Sequence, residues 1–282
     1  MRTIVRRTAA AAAFPLDVDS HPARDDCAAV MTIRIDSLYR YPVKGLSAEP
    51  LASVTLAAGQ PFPHDRRFAL AHGSSRGADE GGWVRKALLL QLMSNEKLAT
   101  LATRFEPGTG LLTIRRNGRQ VARGTITEPA GRAVIEQFFA AYMGDRLRGG
   151  PRLIEAGSRA LTDTREPWIS IVNLASVRDL GRVVGRTVDP MRFRANILVD
   201  GVPAWAERAW TDRRLACGTA VLHVEAPTDR CAATNVDPAT GARDMRLPHA
   251  MHHAYGHQTC GVYARVIEGG VFERGAELSV ID

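Results

Sequence analysis

From Ile33 to the C-terminus, apolar residues recur at about every second position in short runs, and glycine-bearing turns close most of those runs. "IRIDSLYRYPV" alternates in this way, and "LASVTLAAG" and "RRFALAHG" follow it. "LATLATRFEPGTGLLTIRRNGRQVARG" then reads as a meander, with turn signals at "EPGTG" and "NGR". A period of two commits a segment to a strand with one buried face. Many short strands separated by turns, with a few helices, suggest barrel-like β domains. The chain shows no βαβ alternation, no GxGxxG and no GxxxxGK[ST], which sets aside the usual dinucleotide-binding and P-loop folds.

Helical spacing interrupts this pattern in a few places. "TEPAGRAVIEQFFAAYMGD" carries apolar residues at helical intervals, with Gly144 placed to stop the helix. After Pro151, "WISIVNLASVRDLGRVVG" reads as a strand running into a short helix, with Ser176 as its cap and Val177, Leu180 and Val184 on one face. "FRANILVDG", "AVLHVEAP" and "CGVYARVIEGGVFERGAELSVI" supply further strands, and residues 74–82 form a polar, glycine-rich loop. The expected fold is α+β and dominated by β. Residues 31–150 form an N-terminal β-barrel-like domain, and residues 151–282 form a second β-barrel domain with a few peripheral helices. Ordered patterning begins at Met31, so residues 1–30 read as a disordered extension or a misassigned start.

No stretch approaches the ~20 consecutive apolar residues of a membrane span. The four cysteines, Cys27, Cys217, Cys231 and Cys260, form no CxxC pair, and no secretory signal precedes them. Reduced thiols in the cytoplasm are the expectation. The formal charge of +7 comes almost wholly from arginine, since Lys44, Lys86 and Lys97 are the three lysines. A GC-rich coding bias produces such an excess, and so does an anionic ligand, because guanidinium forks suit phosphate and carboxylate. Nucleic acid is not expected as a partner. Aromatic residues make up 6% of the chain and are not interleaved with the arginines.

Cys231, in "PTDRCAATNVDPATGARD", lies on a loop leading into a tight turn, with Arg230 beside it. Four roles suit it: core packing; zinc binding with His252, His253, His257 and Cys260; nucleophilic catalysis with His223, His249 or His257 as base; or ligation of a soft metal. Arg230, and Arg194 if the fold brings it near, would stabilise a thiolate. Lys44 in "PVKG", Arg66 in "HDRRF", and Arg192, Arg194 and Asn196 in "RFRANILVDG" would together cradle an anionic cofactor, with the thiolate at the reacting end.

In that order, "YPVKG", "HDRRFAL", "RFRANILVDG", "RCAATNVDPATGARD" and "GVYARVIEGGVFERGAEL" resemble the MOSC domain family with its β-barrel N-terminal domain, over about Met31 to Asp282. The family includes the mitochondrial amidoxime-reducing component and the C-terminal domain of molybdenum cofactor sulfurase. The resemblance implies a molybdenum cofactor (Mo-molybdopterin), with Cys231 as the protein thiolate on molybdenum. It implies Lys44, Gly45, Arg66, Arg194, Asn196 and Arg230 as cofactor contacts, with Thr228 and Asp229 at the approach to the cysteine. Family members often carry serine where this chain has Gly45. The activity implied is reduction of N-hydroxylated compounds, hydroxylamines or amidoximes, with electrons from a separate ferredoxin- or cytochrome-like carrier. The alternative is a cofactor or persulfide carrier without redox turnover of its own.

Overall fold

The computed structural model of the chain describes residues 32–75 and 82–281. The expected extension over residues 1–30, and part of the loop expected over residues 74–82, lie outside the described residues. Before residue 150 come β1 (Ile33–Arg40), β2 (Glu49–Leu51), β3 (Ser53–Leu56), β4 (Phe68–Ala71), β5 (Leu101–Glu106), β6 (Leu111–Arg116), β7 (Arg119–Thr125) and α1 (Pro129–Met143). After it come β8 (Arg152–Glu155), β9 (Ile169–Asn173), α2 (Leu174–Val184), β10 (Ile197–Asp200), β11 (Arg214–Cys217) and β12 (Ala220–Asp229). The remaining elements are α3 (Leu247–Tyr255), β13 (Thr259–Glu268), β14 (Gly270–Glu273) and β15 (Glu277–Ile281).

The fold is β-dominated and centres on a closed barrel of seven strands. The order is β10-β9-β13-β12-β11-β15-β1, and β1 closes the ring by pairing with β10. Closure removes the free strand edges that an open sheet would expose. Within the ring β9 and β10 are parallel, and a parallel pair needs a crossover, which α2 supplies. Ile33 and Ile35, on the alternation of "IRIDSLYRYPV", are buried in one core with Ile169, Ile171, Leu222, Val224, Val262 and Ala264. Leu38 breaks the alternation in the sequence, being three residues beyond Ile35. A register shift between Ile35 and Ser37 restores it to the interior.

Strand ladders cross residue 150 at several points. β1 pairs with β10 and β15, β3 with β14, and β4 with β8. β5, β6 and β7 form the expected meander as a separate three-stranded sheet. Its Leu101, Phe105, Leu112 and Ile114 pack with Ile135, Phe139 and Met143 of α1 in a second core. α1 begins on Pro129 and ends at Gly144, whose φ of 55° is one that glycine adopts at little cost.

The helix after β9 starts earlier than its sequence cues imply. Asn173, not Ser176, is the cap: its side chain accepts from the Ala175 N–H at 3.0 Å. Ser176 lies within the first turn and donates to Glu207 Oε2 at 2.8 Å in the interior. α3 occupies "LPHAMHHAY", where the sequence reading saw histidines and no helix.

Candidate functional site

Four segments distant in sequence converge beside the barrel. The first follows β1, where Lys44 N–H donates to Phe68 O at 2.8 Å and sets the "YPVKG" strip against β4. Lys44 is only 7% exposed. Its Nζ donates to Leu161 O at 2.8 Å and to Asp163 Oδ1 at 2.6 Å. Burial pushes its pKa down, and Asp163 offsets this only in part. Asp163 holds two lysines, since Lys86 Nζ lies 3.2 Å from its other oxygen. Against the upward push of burial, Lys44 and then Lys86 keep the Asp163 carboxyl well below the usual range.

The second segment carries Asp65 and Arg66. Asp65 accepts from the Tyr41 N–H at 2.8 Å and binds Arg66 Nη1 with both oxygens, at 2.7 and 2.5 Å. Arg66 Nη2 donates to Arg194 O at 2.7 Å, which ties the second segment to the third. Arg194 follows a 3-10 turn, Pro190–Phe193, whose first residues are capped by Asp189. Both arginines adopt left-handed backbone, with φ of 45° at Arg66 and 53° at Arg194. Such strain in non-glycine residues persists only where surrounding contacts enforce it, and it clusters at functional sites. Their guanidinium groups lie on the Tyr41 ring, at 4.2 and 4.3 Å from its centroid. Burial and then Arg66's charge push Arg194 down to about 10. Arg66 goes the other way: burial opposes its charge, but Asp65, with Tyr41 and Asp163, more than compensates.

The fourth segment is the end of β12 and the turn beyond it. Arg230 N–H donates to Gln258 O at 3.0 Å, its Nε to Cys260 O at 2.8 Å and its Nη1 to Phe193 O at 2.8 Å. Cys231 follows and is half-buried. Its carbonyl accepts from the N–H and hydroxyl of Thr234, which pins the turn. Asn196 supports the neighbourhood from β10's start: its Oδ1 accepts from Ser170 N–H at 3.1 Å and its Nδ2 donates to Tyr39 O at 3.2 Å.

One cleft is lined by Cys231 together with Lys44, Gly45, Arg66, Arg194, Asn196, Asp229 and Arg230. Thr228 is not brought to its wall; it is 1% exposed within β12, with its hydroxyl buried and without a hydrogen-bond partner. The cleft also holds residues that the sequence reading did not single out: Asp163, Trp168, Ser170 and Tyr263. Trp168 and Tyr263 form an aromatic wall, with centroids 5.7 Å apart. Lys86 stands close enough to be held above its usual range by Asp163 and by Cys231, although burial works against its charge. Arg192, quoted in its motif but not assigned a contact, lies on the wall as well. It is 4% exposed and anchored to Asp237 and Asp244.

The rival roles for the cysteine find little here. Among the described residues no group of three or more His, Cys, Asp or Glu is placed to hold a metal ion. His252 and His253 sit on the last turn of α3, and both are exposed. Cys260 is buried, and burial pushes its thiol up to about 12. No histidine among the described residues lines the cleft, so none there stands as a base for Cys231. No helix of the described residues is long and apolar enough to cross a membrane.

Comparisons with known proteins cover from under a third to most of the chain. The MOSC domain family matches residues 145–279. Molybdenum cofactor sulfurase of Caenorhabditis briggsae is 35% identical over 262 residues, covering 84% of this chain and 35% of that protein. Mitochondrial amidoxime-reducing component 1 of Mus musculus is 33% identical over 78 residues, covering 28% of this chain and 22% of that protein. The chain thus spans about a third or less of the length of these relatives. Among solved structures, YuaD from Bacillus subtilis covers 89% of this chain and 96% of its own at 16% identity, with a TM-score of 0.43. YiiM from Geobacillus stearothermophilus covers 40% of this chain and 54% of its own at 24% identity, with a TM-score of 0.33. Residues 145–279 thus carry a MOSC domain.

Proposed function

We propose that the cleft binds a molybdenum cofactor and that the protein reduces N-hydroxylated compounds, such as hydroxylamines and amidoximes, with electrons from a separate carrier protein. One observation carries the reading. Arg194 Nη2, Arg230 Nη2 and Arg192 Nε are all buried without a hydrogen-bond partner, around the cleft that holds the half-buried Cys231. A buried donor left unpaired costs on the order of 1–3 kcal/mol, and more when it is charged. Three such donors beside a thiol suit an anionic group that carries a sulfur-seeking metal.

The cofactor, when bound, supplies two-electron reduction chemistry. Cys231 would hold the metal through Sγ. Lys44, Arg66, Arg194 and Arg230 would hold the anionic part, and Arg192 and the Ser170 hydroxyl (also buried and unpartnered) would complete its hydrogen bonds. Asn196 spends most of its amide on Ser170 and Tyr39, so its role is to fix the turn that presents Arg194. Gly45 offers backbone to the cleft wall, and Asp229 lies at the approach to the thiol. Converting an N–OH to an N–H takes two electrons and two protons and releases water. The electrons would come from the carrier and the protons from solvent.

The names of the relatives support two readings. Amidoxime-reducing components suggest the reductase. A sulfurase matched over 84% of this chain suggests a carrier that holds cofactor, or a persulfide on Cys231, without turnover. Metal analysis of protein made in a host that produces the cofactor, alongside Cys231→Ala, tests the first. Near-stoichiometric molybdenum with dye-driven hydroxylamine reduction, and loss of that turnover in a folded Cys231→Ala, is the expected result. Absence of molybdenum in the parent overturns it, and molybdenum without turnover on any hydroxylamine favours the carrier.

A further inference from the structure

The three-stranded sheet of β5, β6 and β7 has two unlike faces. One is buried against α1. The other is exposed and basic. In register, Arg104 stands opposite Thr113, and Thr113 opposite Arg123. Arg115 lies two residues along β6 on the same face, opposite Ala102 and Gln120. Two strand spacings separate Arg104 from Arg123, about 10 Å. That is just beyond the ~8 Å screening length at physiological salt, so the repulsion among the three charges is weak there and grows as salt falls. All three are exposed, and they line one shallow hollow with Thr103, Thr113 and Gln120.

Some exposed arginines elsewhere are paired, Arg178 with Asp200, Arg186 with Asp244, Arg265 with Glu225 and Arg146 with Glu96, whereas this face gathers three without an acidic partner. Among the described residues the side chains of Arg104 and Arg123 have no ion-pair or hydrogen-bond partner, and that of Arg115 donates only to Gly118 O in its own hairpin, at 3.4 Å. Glu106 is the acid lining the hollow, and it accepts from Thr109 at 3.4 Å. Like charges gathered on a sheet face are destabilising. An acidic partner would relieve that repulsion by charge complementarity, which steers encounter and sets orientation.

The sheet is also bonded, from its other side, to the segment that carries Lys44. Thr103, at the edge of the hollow, donates its N–H to Ser47 Oγ at 3.0 Å, and Ser47 N–H donates back to Thr103 Oγ1 at 3.3 Å. Ser47 is three residues beyond Lys44. No aromatic residue lines the hollow, so it lacks the stacking platform that single-stranded nucleic acid uses.

We infer that this face docks the electron donor, and that the donor is a small protein with an acidic surface around its redox centre. The inference rests on the reductase reading for the donor's identity, but its test needs no turnover. Binding of two purified probes, an acidic 2Fe–2S ferredoxin and an acidic b-type cytochrome, is measured by calorimetry at low and at physiological salt. The parent should bind at least one of them, more weakly as salt rises. Arg104→Glu/Arg123→Glu should weaken that binding tenfold or more and flatten its salt dependence, whereas Arg104→Lys/Arg123→Lys should retain most of it. The charge-reversed protein should melt no lower than the parent, because Arg115 gains acidic neighbours. Dye-driven turnover, where present, should not change. Failure of the parent to bind either probe, or equal affinity in the charge-reversed variant, overturns the docking face. So does displacement of the bound probe by stoichiometric duplex DNA, which would mark a polyanion site instead. Absence of molybdenum or turnover, with binding as expected, overturns the reductase reading and leaves the docking face standing.

Discussion

Lys44 Nζ donates to Asp163 Oδ1 at 2.6 Å across 119 residues of sequence. The aspartate therefore meets the charge of a buried lysine that lines the proposed anion cradle. An incoming anion must compete with it. Asp163→Asn should raise affinity for sulfate about threefold to tenfold, the effect of removing one nearby negative charge. Lys44→Ala should lower it by a similar factor. Calorimetric titration checks both, and the reverse order would contradict this role for Asp163.

The same pair sets a pH dependence. Burial depresses the pKa of Lys44, so the side chain loses its proton below the ordinary lysine value of about 10.4. Sulfate keeps its charge throughout the alkaline range. Its affinity should therefore hold at neutral pH and fall as pH rises through the depressed Lys44 value, earlier than for an exposed lysine. In Lys44→Met that early fall should disappear from the titration.

Glu96 gives the opposite sign. Its hydrogen bond from Arg146, at 2.6 Å, and a further one from Arg243 pull its pKa down to about 2. A carboxylate with a depressed folded pKa contributes stability that is full above the unfolded value of about 4.3 and is lost as pH falls toward 2. The group is partly exposed, so solvent screening limits the contribution to about 1 kcal/mol. Glu96→Gln should lower stability by about that amount at pH 7 and by almost nothing near pH 2, as read from urea unfolding at the two pH values.

Tyr41 supports two cations on one ring, and its hydroxyl is buried without a partner. Tyr41→Phe keeps the ring and removes the unsatisfied group, so it should be neutral or stabilising by up to about 1 kcal/mol. Tyr41→Ala removes the ring between Arg66 and Arg194 and should cost about 3–5 kcal/mol. Burial pushes the phenol up to about 12, and a spectrophotometric titration should show it ionising only near there. Thermal melts of the two variants in the opposite order would refute the stacking role.

The parts of this architecture that depend on local pattern were legible in the sequence. Alternation located β1, turn signals located the β5–β7 meander, and helical spacing located α1. α3 escaped because nine residues carrying three histidines look like a ligand cluster before they look like a helix. Ser176 was misread because a serine near a helix start suits the cap, while Asn173, at the end of a buried strand, had already taken that position. The cationic members of the site were legible because their motifs carry charge at turns. Asp163 was not: "LTDTRE" has no periodicity, and its charge acquires meaning only beside a lysine that folding brings from 119 residues away. The Tyr41 stack and the arginines without partners were hidden for the same reason.

Gly45 has a physical reason to be glycine. Its φ is 81°, a backbone region that L-residues enter at a cost of roughly 1–2 kcal/mol. A Cβ placed there would stand 3.2 Å from Leu98 Cδ1 and 3.3 Å from Leu90 O. The leucine end can give way, but the carbonyl belongs to backbone that bonds β4, since Leu90 N–H donates to Leu70 O at 2.8 Å. Gly45→Ala and Gly45→Ser should thus both destabilise by about 1–3 kcal/mol, and the added hydroxyl should not rescue the serine variant. Sulfate affinity should fall in both, because the strain sits one residue from Lys44. A serine variant as stable as the parent, with tighter sulfate binding, would mean that the backbone here relaxes freely and that a hydroxyl, not the conformation, decides anion affinity at this position.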